Sequence, residues 1–188
     1  MQLQEFYLIE NALDDKTIDK IIALGNEYQD GTVGTDDGQQ PDHDIRRTDV
    51  CWLREDWLFD ICFNYMSEAN AKTGWNIDVD CCEDLQLGKY EKSHFYDWHI
   101  DSNGFNLHDP KGGLLDFKTR KISMVAWLND DFKGGEFEFH KSVSNFGCRK
   151  MPKGAIMFFP SWLVHRVRPV KEGTRYSLVT WFNGNKVK

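Results

Sequence analysis

From residue 85 onward the apolar residues of this chain stop recurring at helical spacing and come in short runs. These are Leu85-Gln86-Leu87, Phe95 to Ile100, Ile122 to Leu128, Phe137 to Phe139, Ala155 to Phe159 and Tyr176 to Phe182. Such runs, rich in β-branched and aromatic side chains and bounded by turn residues, suit strands and are too short for helices. Aromatic residues make up 14% of the chain, with thirteen Phe and seven Trp, which favours a sheet-rich core over a helical bundle. The segment Asp130-Asp131-Phe132-Lys133-Gly134-Gly135 joins two of the runs and carries the glycines that a hairpin needs where φ is positive.

The first eighty residues read differently. Phe6 to Ile9 suits a short strand, and Asp14 or Asp15 can cap a helix whose apolar residues are Ile18, Ile21, Ile22 and Leu24. From Trp57 to Ala71, Leu58, Ile61, Cys62, Tyr65 and Met66 fall on one helical face. Between them, Gln29 to Asp49 is Gly- and Asp-rich and free of aromatics, the signature of a loop that acts as a lid or is disordered. At 188 residues the chain suits one domain, with helical support and a polar loop in 1–80 and a catalytic β core in 81–188.

A net charge of −7, from thirty acidic and twenty-three basic side chains, supplies no basic footprint for nucleic acid. Met1 to Glu5 lacks a basic region followed by an apolar run, and no stretch approaches the ~20 apolar residues of a membrane span. Five Cys without a CxxC spacing suggest neither a disulfide framework nor a zinc ribbon. The expectation is a cytoplasmic protein that is neither exported nor embedded in a membrane.

The chemistry concentrates in three residues. His99 and Asp101 are two apart in an expected strand, where side chains at i and i+2 share a face and can reach one ion. That spacing proves little alone, but His165 follows the apolar run Phe158-Phe159-Pro160 and supplies a second imidazole. Two histidines and one carboxylate on one face of an octahedral ion leave three adjacent positions open, as in non-haem Fe(II) oxygenases. Arg175 lies ten residues beyond His165, and a guanidinium deep in a barrel needs an anionic partner. A dicarboxylate suits it, with Ser177 on the same strand face and Tyr90 on a neighbouring strand as further donors.

These residues, with Gln86-Leu87-Gly88-Lys89-Tyr90, Trp98-His99-Ile100-Asp101, Trp127-Leu128-Asn129-Asp130, Gly134-Gly135-Glu136-Phe137 and the stretch from His165 to Trp181, resemble the Fe(II)- and 2-oxoglutarate-dependent dioxygenases in their prolyl-4-hydroxylase-like branch. The resemblance covers most of residues 82–183 and implies a mainly β, double-stranded β-helix (jelly-roll, cupin-like) fold with supporting N-terminal helices. It implies Fe(II) held by His99, Asp101 and His165, and 2-oxoglutarate held at its distal carboxylate by Arg175 with help from Tyr90 and Ser177. O2 is the second co-substrate and ascorbate a candidate addition. Trp127 departs from the pattern, since some prolyl hydroxylases place a second co-substrate tyrosine there.

The implied reaction is hydroxylation coupled to oxidative decarboxylation of 2-oxoglutarate to succinate and CO2, on a prolyl residue of a protein or peptide. The alternatives are a free amino acid or small metabolite as substrate, or a non-catalytic β-helix that binds a ligand. Asp101 argues against halogenation, which needs the carboxylate's place on the metal. Trp181, standing where nucleic-acid demethylases carry a second Arg, argues against that activity. Tyr96, Trp98 and Trp162 flank the ligands and are candidates for a substrate wall. Arg46 and Arg47 follow the polar loop and are candidates to bind substrate, though solvated surface charge suits them better, and the loop histidines His43, His108 and His140 read as solvated. His94, five residues before His99, faces away from it on a continuous strand. The sequence leaves the oligomeric state open.

Overall fold

The computed structural model describes residues 4–35, 38–102, 118–141 and 147–185. His108, expected to be solvated, lies outside the described residues. The chain runs β1 (Tyr7–Ile9), α1 (Asp15–Ala23), β2 (Gln29–Asp30), β3 (Val33–Thr35), β4 (Gly38–Gln40), β5 (Arg46–Arg47), β6 (Asp49–Leu53) and α2 (Asp56–Thr73). It continues with β7 (Cys81–Cys82), β8 (Leu85–Tyr90), β9 (Phe95–His99), β10 (Lys118–Trp127), β11 (Lys133–Gly134) and β12 (Phe137–Phe139). The last strands are β13 (Cys148–Arg149), β14 (Ile156–Pro160), β15 (His165–Val167), β16 (Val170–Glu172) and β17 (Arg175–Asn185).

Strand pairing is antiparallel throughout. A major sheet has the order β1-β14-β10-β17-β8-β6-β2 with β7 also on β17, and a minor sheet has the order β13-β12-β15-β9-β5. Alternation along the major strands explains both faces. Ile122, Met124 and Ala126 of β10, Ile156 and Phe158 of β14, and Leu178 and Phe182 of β17 point one way, into a core shared with the helices. Helix α1 starts at Asp14, whose carboxylate accepts the Thr17 N–H at 2.8 Å, and it buries Ile18 and Ile21. Helix α2 buries Leu58, Cys62, Met66 and Ala69 and stops at Gly74, whose φ of 70° suits a residue without Cβ.

The other face of the major sheet meets the minor sheet. Val125, Trp127, Met157 and Phe159 pack there with Phe137, Phe139 and Val167. The cavity described below opens within this second core, so the helices stiffen the sheet from behind while the chemistry sits in front.

Two expectations change. The segment from Gln29 to Asp49 is not an irregular loop: β3 and β4 form a hairpin, β2 pairs with β6, and β5 pairs with β9. Its polar side chains mimic a loop because these strands are short edge strands, with little apolar surface to bury. The stretch around Gly134 and Gly135 is not a simple hairpin either, since β10 lies in the major sheet, β12 in the minor one, and β11 pairs with β16. Both glycines have positive φ, 73° and 64°, so the sequence signal for a turn is real while the topology is a crossover between sheets.

Candidate active site

His99 closes β9 and His165 opens β15, and the two are direct partners across the minor sheet. Strand β9 needs four residues, from Tyr96 to His99, to match three on β15, from Val167 to His165. This bulge turns both Tyr96 and His99 inward, where their rings stack at 3.5 Å with planes 10° apart. Asp101 is not a strand neighbour of His99, because β9 ends first. It is brought back by its own N–H, which donates to the Ser161 carbonyl at 3.0 Å, as does that of Ser102 at 2.9 Å.

Each histidine is fixed through its Nδ1–H, which donates to a carbonyl two residues earlier. The distances are 2.7 Å from His99 to Asp97 and 2.8 Å from His165 to Leu163. That hydrogen bond selects the tautomer with a bare Nε2. The Nε2 atoms lie 3.6 Å from Asp101 Oδ1 and 3.6 Å from Asp101 Oδ2 respectively. One donor atom from each of His99, Asp101 and His165 lies within 4.8 Å of the other two, a set able to hold a metal ion.

Electrostatics support that role. Burial, with His165 as the next cause, pushes the His99 imidazole down to about 3, so it is neutral and its Nε2 pair is available. Burial acts to raise Asp101, but the facing imidazoles, the Arg120 guanidinium and the Ser123 hydroxyl outweigh it and hold the carboxyl below its usual value. Ser123 donates to Asp101 Oδ2 at 2.7 Å, and the Ser161 hydroxyl, 2.8 Å away, donates to Ser123 in turn.

The triad opens into a cavity with about 450 Å³ of empty space. Its major-sheet wall is the inward row of β17, Arg175, Ser177, Val179 and Trp181, beside Gln86 and Tyr90 of β8. Arg175 pairs in register with Tyr90, and its guanidinium carbon stands 4.9 Å from that ring's centroid. It is 1% exposed and Nη1 donates to Ser177 Oγ at 3.0 Å, while Nε and Nη2 are buried with no acceptor among the described residues. Burial pushes the Arg175 guanidinium down, which marks how strongly an anion is wanted there. Gly88 keeps this corner open, since a Cβ there would stand 3.3 Å from both Ser177 Oγ and Tyr90 Cε2.

The structure therefore brings together His99, Asp101, His165, Arg175, Ser177, Tyr90 and Tyr96. It separates the two tryptophans. Trp98 lies on the outer face of β9, under Arg166 at 4.2 Å and edge-on to His140 at 5.1 Å. Trp162 is 53% exposed and does not line the cavity. Trp127 is fully buried against Phe137. His94 stands with Asp49 and Glu91, apart from the triad.

Sequence reasoning missed Ser123, Gln86 and Trp181, and for Arg46 it favoured surface charge over a place in the site. Ser123 has a signal, being a hydroxyl amid the apolar run Ile122 to Leu128. Arg46 is not solvated, as its neighbour Arg47 is. It is 5% exposed and lines the cavity, because successive residues of β5 face opposite ways.

A family model described as the 2OG-Fe(II) oxygenase superfamily matches residues 85–183, more than half of the chain. The chain belongs to the 2OG-Fe(II) oxygenase superfamily. Membership in the superfamily implies Fe(II), 2-oxoglutarate and O2. The site suits these reactants on its own chemistry: two bare imidazole nitrogens beside a carboxylate match a facial iron triad. An orphaned buried guanidinium nearby matches a dicarboxylate.

Relatives within the superfamily include a PKHD-type hydroxylase of Synechococcus sp., 31% identical over 99 residues, which are 52% of this chain and 40% of that protein. Another, from Pseudomonas fluorescens, is 31% identical over 96 residues, 49% of this chain and 39% of that protein. The chain thus spans about two-fifths of the length of these relatives.

The fold is that of prolyl hydroxylases. A viral collagen prolyl hydroxylase from Paramecium Bursaria Chlorella virus-1, in its 2OG complex, aligns with a TM-score of 0.69 at 20% identity, over 96% of this chain and 97% of that one. A Pseudomonas putida prolyl-4-hydroxylase aligns with a TM-score of 0.71 at 17% identity, over 96% and 93%. A Trichoplax adhaerens prolyl hydroxylase in complex with a hypoxia inducible factor peptide gives 0.71 at 17%, over 95% and 83%. Among the described residues no helix is long and apolar enough to cross a membrane.

Proposed function

We propose that this chain is an Fe(II)- and 2-oxoglutarate-dependent dioxygenase that hydroxylates a prolyl residue of a protein or peptide. The observation that carries the reading is the conjunction, in one cavity, of the His99–Asp101–His165 set and the unpaired Arg175 fork. We read the two facing sheets as the halves of a double-stranded β-helix within one domain. The prolyl assignment leans on the fold neighbours, two of whose descriptions name collagen and a hypoxia inducible factor peptide.

In this reading His99 Nε2, His165 Nε2 and Asp101 hold the iron, and Ser123 keeps the carboxylate aimed. Arg175 grips the distal carboxylate of 2-oxoglutarate through Nε and Nη2. Ser177 receives a hydrogen bond from Arg175, which leaves its own hydroxyl hydrogen free for the same carboxylate. Burial pushes the Tyr96 hydroxyl up to about 12, so it stays a neutral donor beside His99. Phe137, Phe159 and Val167 close the cavity with apolar surface and keep water from competing. Bound iron supplies the oxidation of substrate by O2, one oxygen atom entering a C–H bond and the other leaving in succinate as 2-oxoglutarate loses CO2.

The test is succinate release across a panel of prolyl peptides and free amino acids, with mass spectrometry of the product. Peptide-stimulated succinate and one added oxygen on proline are expected, with ascorbate sustaining turnover. Stimulation by free proline alone moves the reading to small metabolites. Absence of succinate with every member rejects the prolyl assignment.

A further inference from the structure

The cavity holds a second unpaired arginine fork. Arg46 Nη1 donates to the Thr32 carbonyl at 2.9 Å, while Nε and Nη2 are buried and find no acceptor. Among the described residues, Arg46 and Arg175 are the two arginines with buried, unpartnered guanidinium nitrogens. A half-buried arginine with a structural task looks different here. Arg120 closes on Glu83 with bonds of 2.7 and 2.6 Å and lies over Trp181 at 3.7 Å. Its fork is full.

The place is built. The guanidinium carbon of Arg46 stands 4.7 Å from the Tyr96 ring centroid, and Tyr96 in turn stacks on His99, so Arg46 is two layers from the metal-facing imidazole. Gly31 lies against it so closely that a Cβ would stand 2.6 Å from Nε and 2.9 Å from Cζ. Among the described residues no carboxylate is bonded to the fork. A desolvated cation without a matching anion is unfavourable, so the arrangement fits a site that an anionic ligand completes. On the proposed reading 2-oxoglutarate would not be that ligand, since Arg175 would hold one of its carboxylates and the metal site the other.

We infer that Arg46 anchors a carboxylate of the substrate, and that the enzyme selects substrates carrying one. The inference rests on reading this cavity as the active site. The Nε and Nη2 edge of a guanidinium matches a carboxylate bidentately, which fixes the substrate's orientation as well as its affinity. Two sources offer this chemistry: the free α-carboxylate of an amino acid, and an Asp or Glu side chain beside the target residue of a peptide.

Paired probes separate the sources. Binding of L-proline is compared with that of L-prolinamide. An amidated, N-acetylated Pro-Asp peptide is compared with its Pro-Asn twin. Each is titrated into protein saturated with 2-oxoglutarate and Mn(II), which blocks turnover, using wild type, Arg46→Met and Arg46→Lys. In at least one pair the carboxylate member should bind wild type about tenfold or more tightly than its amide. Arg46→Met should erase that preference and Arg46→Lys should keep part of it, with 2-oxoglutarate affinity unchanged in both. The pair that shows the preference names the source. Equal binding within both pairs, no binding by any probe, or a preference that survives in Arg46→Met overturns the inference. So does an Arg46→Met protein that weakens 2-oxoglutarate as Arg175→Leu does, which would make Arg46 a co-substrate residue. The active-site reading fails separately, if Asp101→Ala keeps metal or Arg175→Leu keeps 2-oxoglutarate.

Discussion

The two walls of the cavity are built on different plans. The major-sheet wall is long and regular: β17 pairs with β10 over most of its length and with β8 from Arg175 to Val179, and plain alternation delivers Arg175, Ser177, Val179 and Trp181 to one face. The minor-sheet wall is short and irregular. It needs a bulge in β9 to put Tyr96 and His99 side by side, and a return of the chain past the strand end to place Asp101. A regular strand can offer donors at ~7 Å intervals, which suits a ligand gripped at its far end. Donor atoms within 4.8 Å of one another need the local departures that only a bulge and a turn supply.

If that division holds, damage to the minor wall should remove metal, and damage to the major wall should remove co-substrate and leave metal. Asp101→Ala is the largest expected effect. Aspartate is the anionic member of the set, and without it the two imidazoles are left with no carboxylate between them. Metal binding measured by competition with a chelator, and succinate formation with added Fe(II), should both be lost. Wild-type-like succinate from this variant would break the assignment of the ligand set.

Arg175→Leu comes next, on the other wall. Removing one partner of a buried charge pair typically costs about 2–5 kcal/mol, which is roughly thirty- to several-thousand-fold in apparent affinity for 2-oxoglutarate. Metal affinity should stay near wild type, because Arg175 contacts Ser177 and Tyr90 rather than the triad. Arg175→Lys should fall between, keeping the charge and losing the fork. Binding of 2-oxoglutarate within about threefold of wild type in the leucine variant would put the co-substrate elsewhere.

The same contrast explains what was legible in the sequence. The regular wall was readable, since Arg175 and Ser177 at i and i+2 in an apolar run share a face wherever that run is a strand. Helix α1 was readable for a similar reason, with its Asp14 cap and its period. On the irregular wall the three ligands stood out by chemistry and order, but the way they meet did not. A bulge leaves no composition signal, so the sequence did not show that an extra residue between Tyr96 and His99 brings both rings to the cavity while Trp98, next to His99, faces away. Arg46 was hidden by its surroundings, because a polar Gly- and Asp-rich stretch reads as solvent-facing whether or not one of its strands docks on a neighbour. Pairing of β5 with β9 is long-range information, set by the minor sheet rather than by residues near Arg46.

The smallest effect tests the outer face of β9. Trp98 sits one residue from His99, so strand alternation turns it away from the cavity that His99 faces. In the structure it packs outward, with the Arg166 guanidinium 4.2 Å above its ring and His140 against its edge. Trp98→Ala should therefore lose one cation–π contact and a modest amount of packing, on the order of 1 kcal/mol of folding stability. Denaturant unfolding would register that loss as a shift of midpoint at constant slope. Metal and 2-oxoglutarate affinities should remain within about threefold of wild type, since neither the His99 tautomer bond to Asp97 nor the Tyr96 stack involves Trp98. A drop of tenfold or more in either affinity, at unchanged stability, would mean that Trp98 reaches the cavity in solution and does not pack on the outer face of β9.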